Sequence, residues 1–386
     1  MGRLDRCYNI ADLREAARKR LPRGIFEYID RGTEDGVALR ENRAAFERLR
    51  LTPRFMVDLS ERDMTTTVFG QRIAHPFGIG PTAVAGLLSH RGELALARAA
   101  AASGIPFTLA TGSLTSMEDI ATAGGRLWFQ LYMWEEEDLS FALVERARNL
   151  GFEALIVTID SALGRLREHN ERNGFTFPFQ PNPRALIDMT LHPGWLTRVL
   201  FRTILDSGMP RNANYPEHYQ PMVGFRKHPK PRSKKAMTWN DIARLREMWP
   251  GTFMVKSVLS ATDAKLAVDH GADGIVVSNH GGRAMDSAPA TIEVLPEIVD
   301  AVGDRTTVIL DSGIRRGSDI VKALAIGADM VLLGRATLYG IATAGQAGAE
   351  KAIDILATEF EKTMGYLGCR RIDELDRGVF SQPKFV

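Results

Sequence analysis

The stretch Gly274-Ile275-Val276-Val277-Ser278-Asn279-His280-Gly281-Gly282-Arg283 begins as a short apolar run and closes on polar groups around a glycine pair. An unbroken apolar run of this length, without alternation, suits a strand buried on both faces, as in a parallel sheet. Seven further runs repeat the pattern, at 77–80, 106–110, 127–132, 154–160, 253–258, 308–313 and 330–334. Between them lie Ala- and Leu-rich stretches of helical period, including 93–102, 139–150, 261–270 and 318–326. Gly104, Gly151, Gly271 and Gly327 follow these stretches where a C-terminal cap is needed. Eight strand-then-helix units predict an α/β chain, a (β/α)8 barrel rather than an open doubly wound sheet.

Outward from the barrel, residues 1–72 are expected to form an N-terminal helical extension beginning near 9–19. One interval breaks the rhythm: more than 90 residues separate the fourth and fifth strands. A helix over 239–248 accounts for part of it. The surplus, 178–235, is rich in Pro, Asn, aromatics and Arg/Lys and reads as a long insertion after strand 4. The whole chain, 1–386, is expected to be one domain.

Bulk properties narrow the function. A net charge of +2 over 386 residues is too small to suggest nucleic acid as a partner. The two cysteines, Cys7 and Cys369, lack metal-ligand spacing, so a reducing, cytoplasmic setting is the default and no metal site is expected. The N-terminus carries no signal-like apolar core, and no apolar run reaches the roughly 18 residues needed to span a bilayer. A soluble protein, or one attached at a membrane surface, is expected.

Chemistry in a barrel of this kind gathers at the C-terminal ends of the strands. There the chain carries, in order, Thr82, Thr111, Gln130 with Tyr132, Thr158 with Asp160, Lys256, Ser278 with His280, Asp311, and Gly334 with Arg335. Satisfied core polar groups would account for one or two of these, not for a polar position at every strand. Lys256 ends an apolar run, so an anionic partner is implied, either a ligand or a neighbouring strand. Asp160 and His280 are a candidate pair of orienting carboxylate and base. Asp311-Ser312-Gly313-Ile314-Arg315-Arg316-Gly317 and Gly334-Arg335 follow the last two strands, the usual phosphate site of such barrels; a surface Arg-rich turn is the alternative.

On these residues together the chain resembles the FMN-dependent 2-hydroxy acid dehydrogenases and oxidases, over nearly its whole length. Within that family it is most similar to the mandelate-oxidising branch, through Gly334–Gly340, the 127–132 run, Leu191-His192-Pro193 and Gly208-Met209-Pro210. The resemblance implies FMN as cofactor and assigns roles. Pro81, Thr82 and Ala83 pass along the flavin, and Thr111, Gln130 and Thr158 bond its ring edge. Lys256, with Ser278 nearby, faces the flavin carbonyl region. Asp311, Ser312, Gly313, Arg315, Gly334 and Arg335 hold the ribityl phosphate. Arg167 and Arg283 clamp the substrate carboxylate, Tyr28 and Tyr132 contact the carboxylate and hydroxyl, and His280 removes a proton with Asp160 stabilising the imidazolium. Relatives of this kind imply a homotetramer.

Two positions bear on substrate and electron acceptor. Where glycolate-oxidising members carry a pocket-lining tryptophan, this chain has Gly112, which predicts an aromatic, mandelate-like (S)-2-hydroxy acid. An aliphatic lactate- or glycolate-like acid oxidised with O2 is the alternative. Leu163 and Leu166 either line the same pocket or pack a loop. Ala83 matches the oxidases rather than the mandelate branch, so quinone and O2 both stand as acceptors. The insertion, with the apolar and arginine-bearing run 195–205 and the basic run 226–235, reads either as a membrane-surface contact over 184–235 or as a mobile lid. From another class, a non-redox phosphate-binding lyase or isomerase using Lys256 would share the fold, and so would a non-catalytic flavin-binding scaffold.

Overall fold

A computed structural model of the chain describes residues 4–381, apart from 165, 177 and 224–230. Eight parallel strands close into a barrel: β1 (Phe77–Ile79), β2 (Phe107–Ala110), β3 (Leu127–Leu131), β4 (Ala154–Thr158), β5 (Thr252–Val258), β6 (Gly274–Val277), β7 (Thr307–Leu310) and β8 (Met330–Leu333). They follow one another around the barrel in chain order, and β8 pairs back onto β1 through Leu332 opposite Gly78. Each strand is followed by at least one helix. The glycines expected to end helices, Gly104, Gly151, Gly271 and Gly327, all have positive φ, a conformation in which a side chain is strained.

Side chains alternate across each strand, and that period builds the site. Trp128, Ala154, Ile156, Met254, Val276, Ile309, Met330 and Leu332 point inward and fill the barrel as a separate apolar cluster. A short hairpin, Thr66–Val68 with Gln71–Ile73, plugs the bottom through Val68, Ile73 and Phe69. Outward residues such as Leu155, Val157, Phe253 and Val255 join the larger core under the helices. Two positions beyond the inward layer, the same period brings Gln130, Thr158, Lys256, Ser278 and Asp311 to the top of the barrel. The mouth is therefore polar for the same reason that the interior is apolar.

The N-terminal extension supplies helices Ile10–Arg20, Arg23–Asp30 and Val37–Arg48. Asn9 caps the first by accepting from the amide of Asp12 at 2.9 Å. Between β4 and β5 lie short helices over Glu168–Asn173 and Pro183–Thr190, a continuous helical stretch of irregular pitch from Pro193 to Ser207, and the helix Trp239–Met248. The first part of the basic run, 226–230, lies outside the described residues. Its end is pinned: Lys234 reaches Glu137 at 2.6 Å and Asp241 at 2.5 Å. Cys7 and Cys369 are both buried. Among the described residues, no helix is long and apolar enough to cross a membrane.

Candidate active site

The top layer of the barrel is a network rather than a set of isolated polar groups. Lys256 Nζ lies 2.7 Å from Asp311 Oδ2 and donates to Ser278 Oγ at 2.5 Å. Lys256 is buried, and this ion pair answers the demand of an ammonium at that depth for an anion. Asp311 accepts from Ser312 Oγ at 2.7 Å, and Ser312 Oγ accepts from the Gly281 amide at 2.9 Å. Across the barrel, Thr111 Oγ1 donates to Gln130 O at 2.6 Å, and Gln130 Nε2 donates to Thr158 Oγ1 at 3.0 Å. These three residues tie the ends of β2, β3 and β4 together.

Three residues at or just beyond the strand ends, Ser257 (φ 81°) in the irregular end of β5, His280 (φ 59°) and Ser312 (φ 77°), hold left-handed backbone conformations without being glycine. Each such residue costs about 1–3 kcal/mol and persists where the surroundings over-determine it. At His280 those surroundings are visible. Its amide donates to Ser278 Oγ at 3.1 Å. The adjacent Asn279 exchanges two 2.8 Å hydrogen bonds with Asn42 of the N-terminal extension and accepts from Gly282 N at 3.0 Å. The turn is thus clamped from both ends, and His280 is aimed into the mouth.

There its Nδ1 stands 3.0 and 3.1 Å from the two oxygens of Asp160, and its Nε2 stands 3.2 Å from Tyr132 Oη. A carboxylate on Nδ1 assigns the proton to that nitrogen and leaves the lone pair on Nε2. The expected orienter and base are therefore in contact, 120 residues apart in the chain.

Positive charge gathers beside this pair. The guanidinium of Arg283 lies 5.0 Å, and that of Arg167 5.6 Å, from the centre of the Tyr28 ring. Arg283 also donates to the carbonyls of Tyr28 (2.5 Å) and Arg31 (3.2 Å). Arg167 Nε is buried and unpartnered among the described residues. The field of this cluster shows in His169: burial, then the charges of Arg283, Arg31 and Arg167, hold its imidazole down at about 4. A site with that potential favours a carboxylate.

The cavity enclosed by these groups measures about 760 Å³, within the range of small-molecule and cofactor sites. Tyr28, Pro81, Thr82, Ala83, Gly112, Tyr132, Arg167, Lys256, His280 and Arg283 line it. So does the stretch Asp311 to Arg315, with Gly334 and Arg335. Leu163 and Leu166 also line it, although both are largely exposed. Thr111, Gln130, Thr158 and Ser278 lie just behind that wall as its supporting hydrogen-bond layer.

One end of the cavity suits a phosphate. The helix Arg335–Ala344 begins at Gly334 with no side-chain cap, so its first amides and dipole face the cavity. The neighbouring helix Gly317–Ile326 differs, because its own Asp319 accepts from the amides of Arg315 and Arg316 at 2.9 Å each. Arg335 is buried, which lowers it to about 10. Its guanidinium donates to the carbonyls of Ile29 (2.7 Å), Gly281 (2.8 Å) and Arg31 (3.0 Å). Arg315 lies over the Tyr339 ring at 5.7 Å. Beside Gly334, Thr82 Oγ1 is buried in the wall without a partner among the described residues. Unpaired buried hydroxyls are rare and point to a group that is satisfied by a ligand. A phosphate-bearing cofactor with further polar groups fits the uncapped helix start and the unpartnered hydroxyl beside it.

Two contributors were not apparent from strand-end reasoning. Asn279 positions the His280 turn, and Tyr215 lines the cavity from within the insertion. The first stood inside a motif without an assigned role; nothing periodic marked the second.

Comparison with known proteins agrees with this geometry. Residues 17–382 match the family described as FMN-dependent dehydrogenase. The chain is 40% identical over 370 residues to (S)-mandelate dehydrogenase of Pseudomonas putida, covering 95% of this chain and 92% of that protein. It is also 40% identical over 373 residues to L-lactate oxidase of Nostoc sp., covering 95% and 96% respectively. A crystal structure described as monotopic membrane protein (S)-mandelate dehydrogenase superposes with a TM-score of 0.90 at 37% identity, over 97% of this chain and 99% of that one. A non-redox lyase or isomerase, and a non-catalytic scaffold, are thereby set aside. With its barrel, its uncapped helix start at the cavity and its His280–Asp160 pair beside two arginines, the chain belongs to the FMN-dependent dehydrogenase family, the 2-hydroxy acid dehydrogenases and oxidases, and uses FMN.

Proposed function

We propose that this enzyme oxidises an aromatic (S)-2-hydroxy acid of the mandelate type to the 2-oxo acid. The observation that carries the reading is the placement of His280 Nε2 at the cavity wall, with Asp160 behind it, beside the arginine pair on Tyr28. Gly112 leaves the neighbouring wall without a side chain.

FMN, when bound, supplies a two-electron acceptor. Its phosphate would be held by Gly313, Arg315, Gly334 and Arg335 with Ser312, and its ring by Pro81, Thr82 and Ala83 together with Thr111, Gln130, Thr158 and Lys256. Ser278 and Asp311 orient Lys256. Arg167 and Arg283 bind the substrate carboxylate and fix the 2-carbon relative to His280, which converts a bimolecular encounter into an oriented one. Nε2 of His280 takes the proton released in the oxidation, and Asp160 stabilises the imidazolium so formed. Tyr28 and Tyr132 close over the carboxylate and hydroxyl. The buried Lys256–Asp311 pair sets a fixed positive pole beneath the reacting groups without solvent reorganisation.

The insertion supports a second element of the proposal, contact with a membrane surface, where a quinone takes the electrons. Leu191, Phe201 and Leu205 are 72%, 62% and 80% exposed, and Arg198 and Arg202 are exposed among them. Apolar side chains interspersed with arginine suit an anionic lipid interface. The solved relative described as a monotopic membrane protein supports the same reading. Ala83 and the similarity to a lactate oxidase favour O2 as the second reading.

The decisive experiment is anaerobic bleaching of the flavin absorbance by a panel of 2-hydroxy acids, followed by reoxidation with a quinone or with O2. Mandelate is expected to bleach with the higher kcat/KM, and quinone to reoxidise faster. A preference for lactate overturns the substrate assignment; faster reoxidation by O2 overturns the acceptor.

A further inference from the structure

The space left by Gly112 is bounded from an unexpected direction. A Cβ placed at 112 would lie 3.4 Å from Ala83 Cβ and 3.7 Å from Tyr215 Oη. Room exists for one methyl group, and a larger side chain meets the phenol. Tyr215 belongs to the insertion, more than fifty residues beyond the end of β4.

Its placement is not that of a loose loop. The insertion is stitched to the segment after β2 immediately beside it. Ala213 N donates to Ser113 O at 3.0 Å. The buried Asn214 accepts from Met117 N at 2.9 Å and donates to Thr115 O at 3.1 Å. That segment is itself anchored by Glu93, which accepts from Leu114 N at 3.2 Å and Thr115 Oγ1 at 3.0 Å. Trp134 meets the Tyr215 ring edge-on, with centroids 5.0 Å apart at 76°. Burial pushes the Tyr215 phenol up, and the nearby phenols of Tyr132 and Tyr28 push it further, so three tyrosines converge on one cavity.

We propose that Tyr215 is a specificity-determining residue: held by Asn214 and Trp134, it forms the wall against which the substrate's aromatic side chain packs, in place of a side chain at position 112. This rests on the functional reading above. It also gives the insertion a role in substrate choice distinct from any role at a membrane. An aromatic ring that loses a wall loses contact area, whereas lactate's methyl group does not reach it. Differences of contact of this size in an apolar pocket change discrimination by about 10- to 200-fold.

The test uses the FMN-loaded full chain. Steady-state kinetics of Tyr215→Ala, Tyr215→Leu and Tyr215→Phe are measured with mandelate and with lactate, with FMN content and Tm recorded for each. Tyr215→Ala is expected to lower the mandelate-to-lactate ratio of kcat/KM at least about tenfold, mainly through the KM for mandelate. Tyr215→Phe, which keeps the ring, restores the ratio. Should the alanine variant lose FMN, Tyr215→Leu is judged by the same ratio. An unchanged ratio, or a phenylalanine variant as impaired as the alanine one, overturns the wall. Failure of the wild-type enzyme to bleach with any 2-hydroxy acid overturns the functional reading instead, and the two failures are therefore distinguishable.

Discussion

The barrel mouth and the insertion are built on opposite principles. At the mouth, Lys256, Ser278, His280, Asp311 and Ser312 are linked by hydrogen bonds at the ends of buried strands, and His280, Ser312 and the adjoining Ser257 carry backbone strain. In the insertion, helices of eight residues or fewer and an irregular helical stretch leave Leu191, Phe201, Leu205 and Met209 exposed, and few buried side chains hold them. The first arrangement holds its polar groups in a fixed mutual geometry, which proton transfer requires. The second presents apolar side chains to the outside. Tyr215 sits apart from those exposed side chains, because Asn214 stitches that point of the insertion to the rigid part.

If this contrast is right, variants at the mouth damage the chemistry and variants in the insertion leave it alone. The largest effect is expected at the base. His280→Ala should retain FMN yet lose about 10²- to 10⁴-fold in kcat, measured by stopped-flow flavin reduction. Near-normal turnover would remove His280 from its role.

Next is the buried ion pair. Lys256→Met leaves Asp311 uncompensated at low exposure, and breaking such a pair costs about 3–5 kcal/mol of stability. Chemical denaturation should show it, and Lys256→Met combined with Asp311→Leu should recover part of the loss. An unchanged denaturation midpoint in the single variant would mean that the network is not a structural unit.

His169, at the boundary of the two regions, gives a pH-dependent effect. Its imidazole is held at about 4 against an ordinary value of 6.5. Above pH 6.5 it is neutral in both folded and unfolded chains and contributes nothing. Between 6.5 and 4 the unfolded chain takes up a proton that the folded chain refuses, so stability falls as the pH falls through that window. His169→Phe should flatten the denaturation midpoint over the same interval. A carboxylate ligand, by screening Arg283 and Arg167, should shift the window upward.

The smallest effect on catalysis is expected from Leu191→Ser, Phe201→Ser and Leu205→Ser together. In detergent-free fractionation this triple variant should move to the soluble fraction, with kcat on an artificial acceptor within about twofold of wild type, as for surface substitutions in general. Loss of activity without a change of fraction would favour a lid.

The sequence alone determined the barrel, because eight apolar runs and the helical stretches between them are local patterns that backbone geometry turns directly into strands and helices. It also located most of the mouth, since alternation along a strand assigns Gln130, Thr158, Lys256, Ser278 and Asp311 to one inward layer. Only the tertiary structure decided the pairings. Lys256 chose Asp311, three strands of chain away counting inclusively from β5, and Arg335 spent three donors on carbonyls of the N-terminal extension and the His280 turn. Asn279 found Asn42, and Tyr215 found the gap at Gly112. These contacts join residues from tens to hundreds of positions apart, and no local period encodes them. They arise from what the closed barrel brings within hydrogen-bond reach.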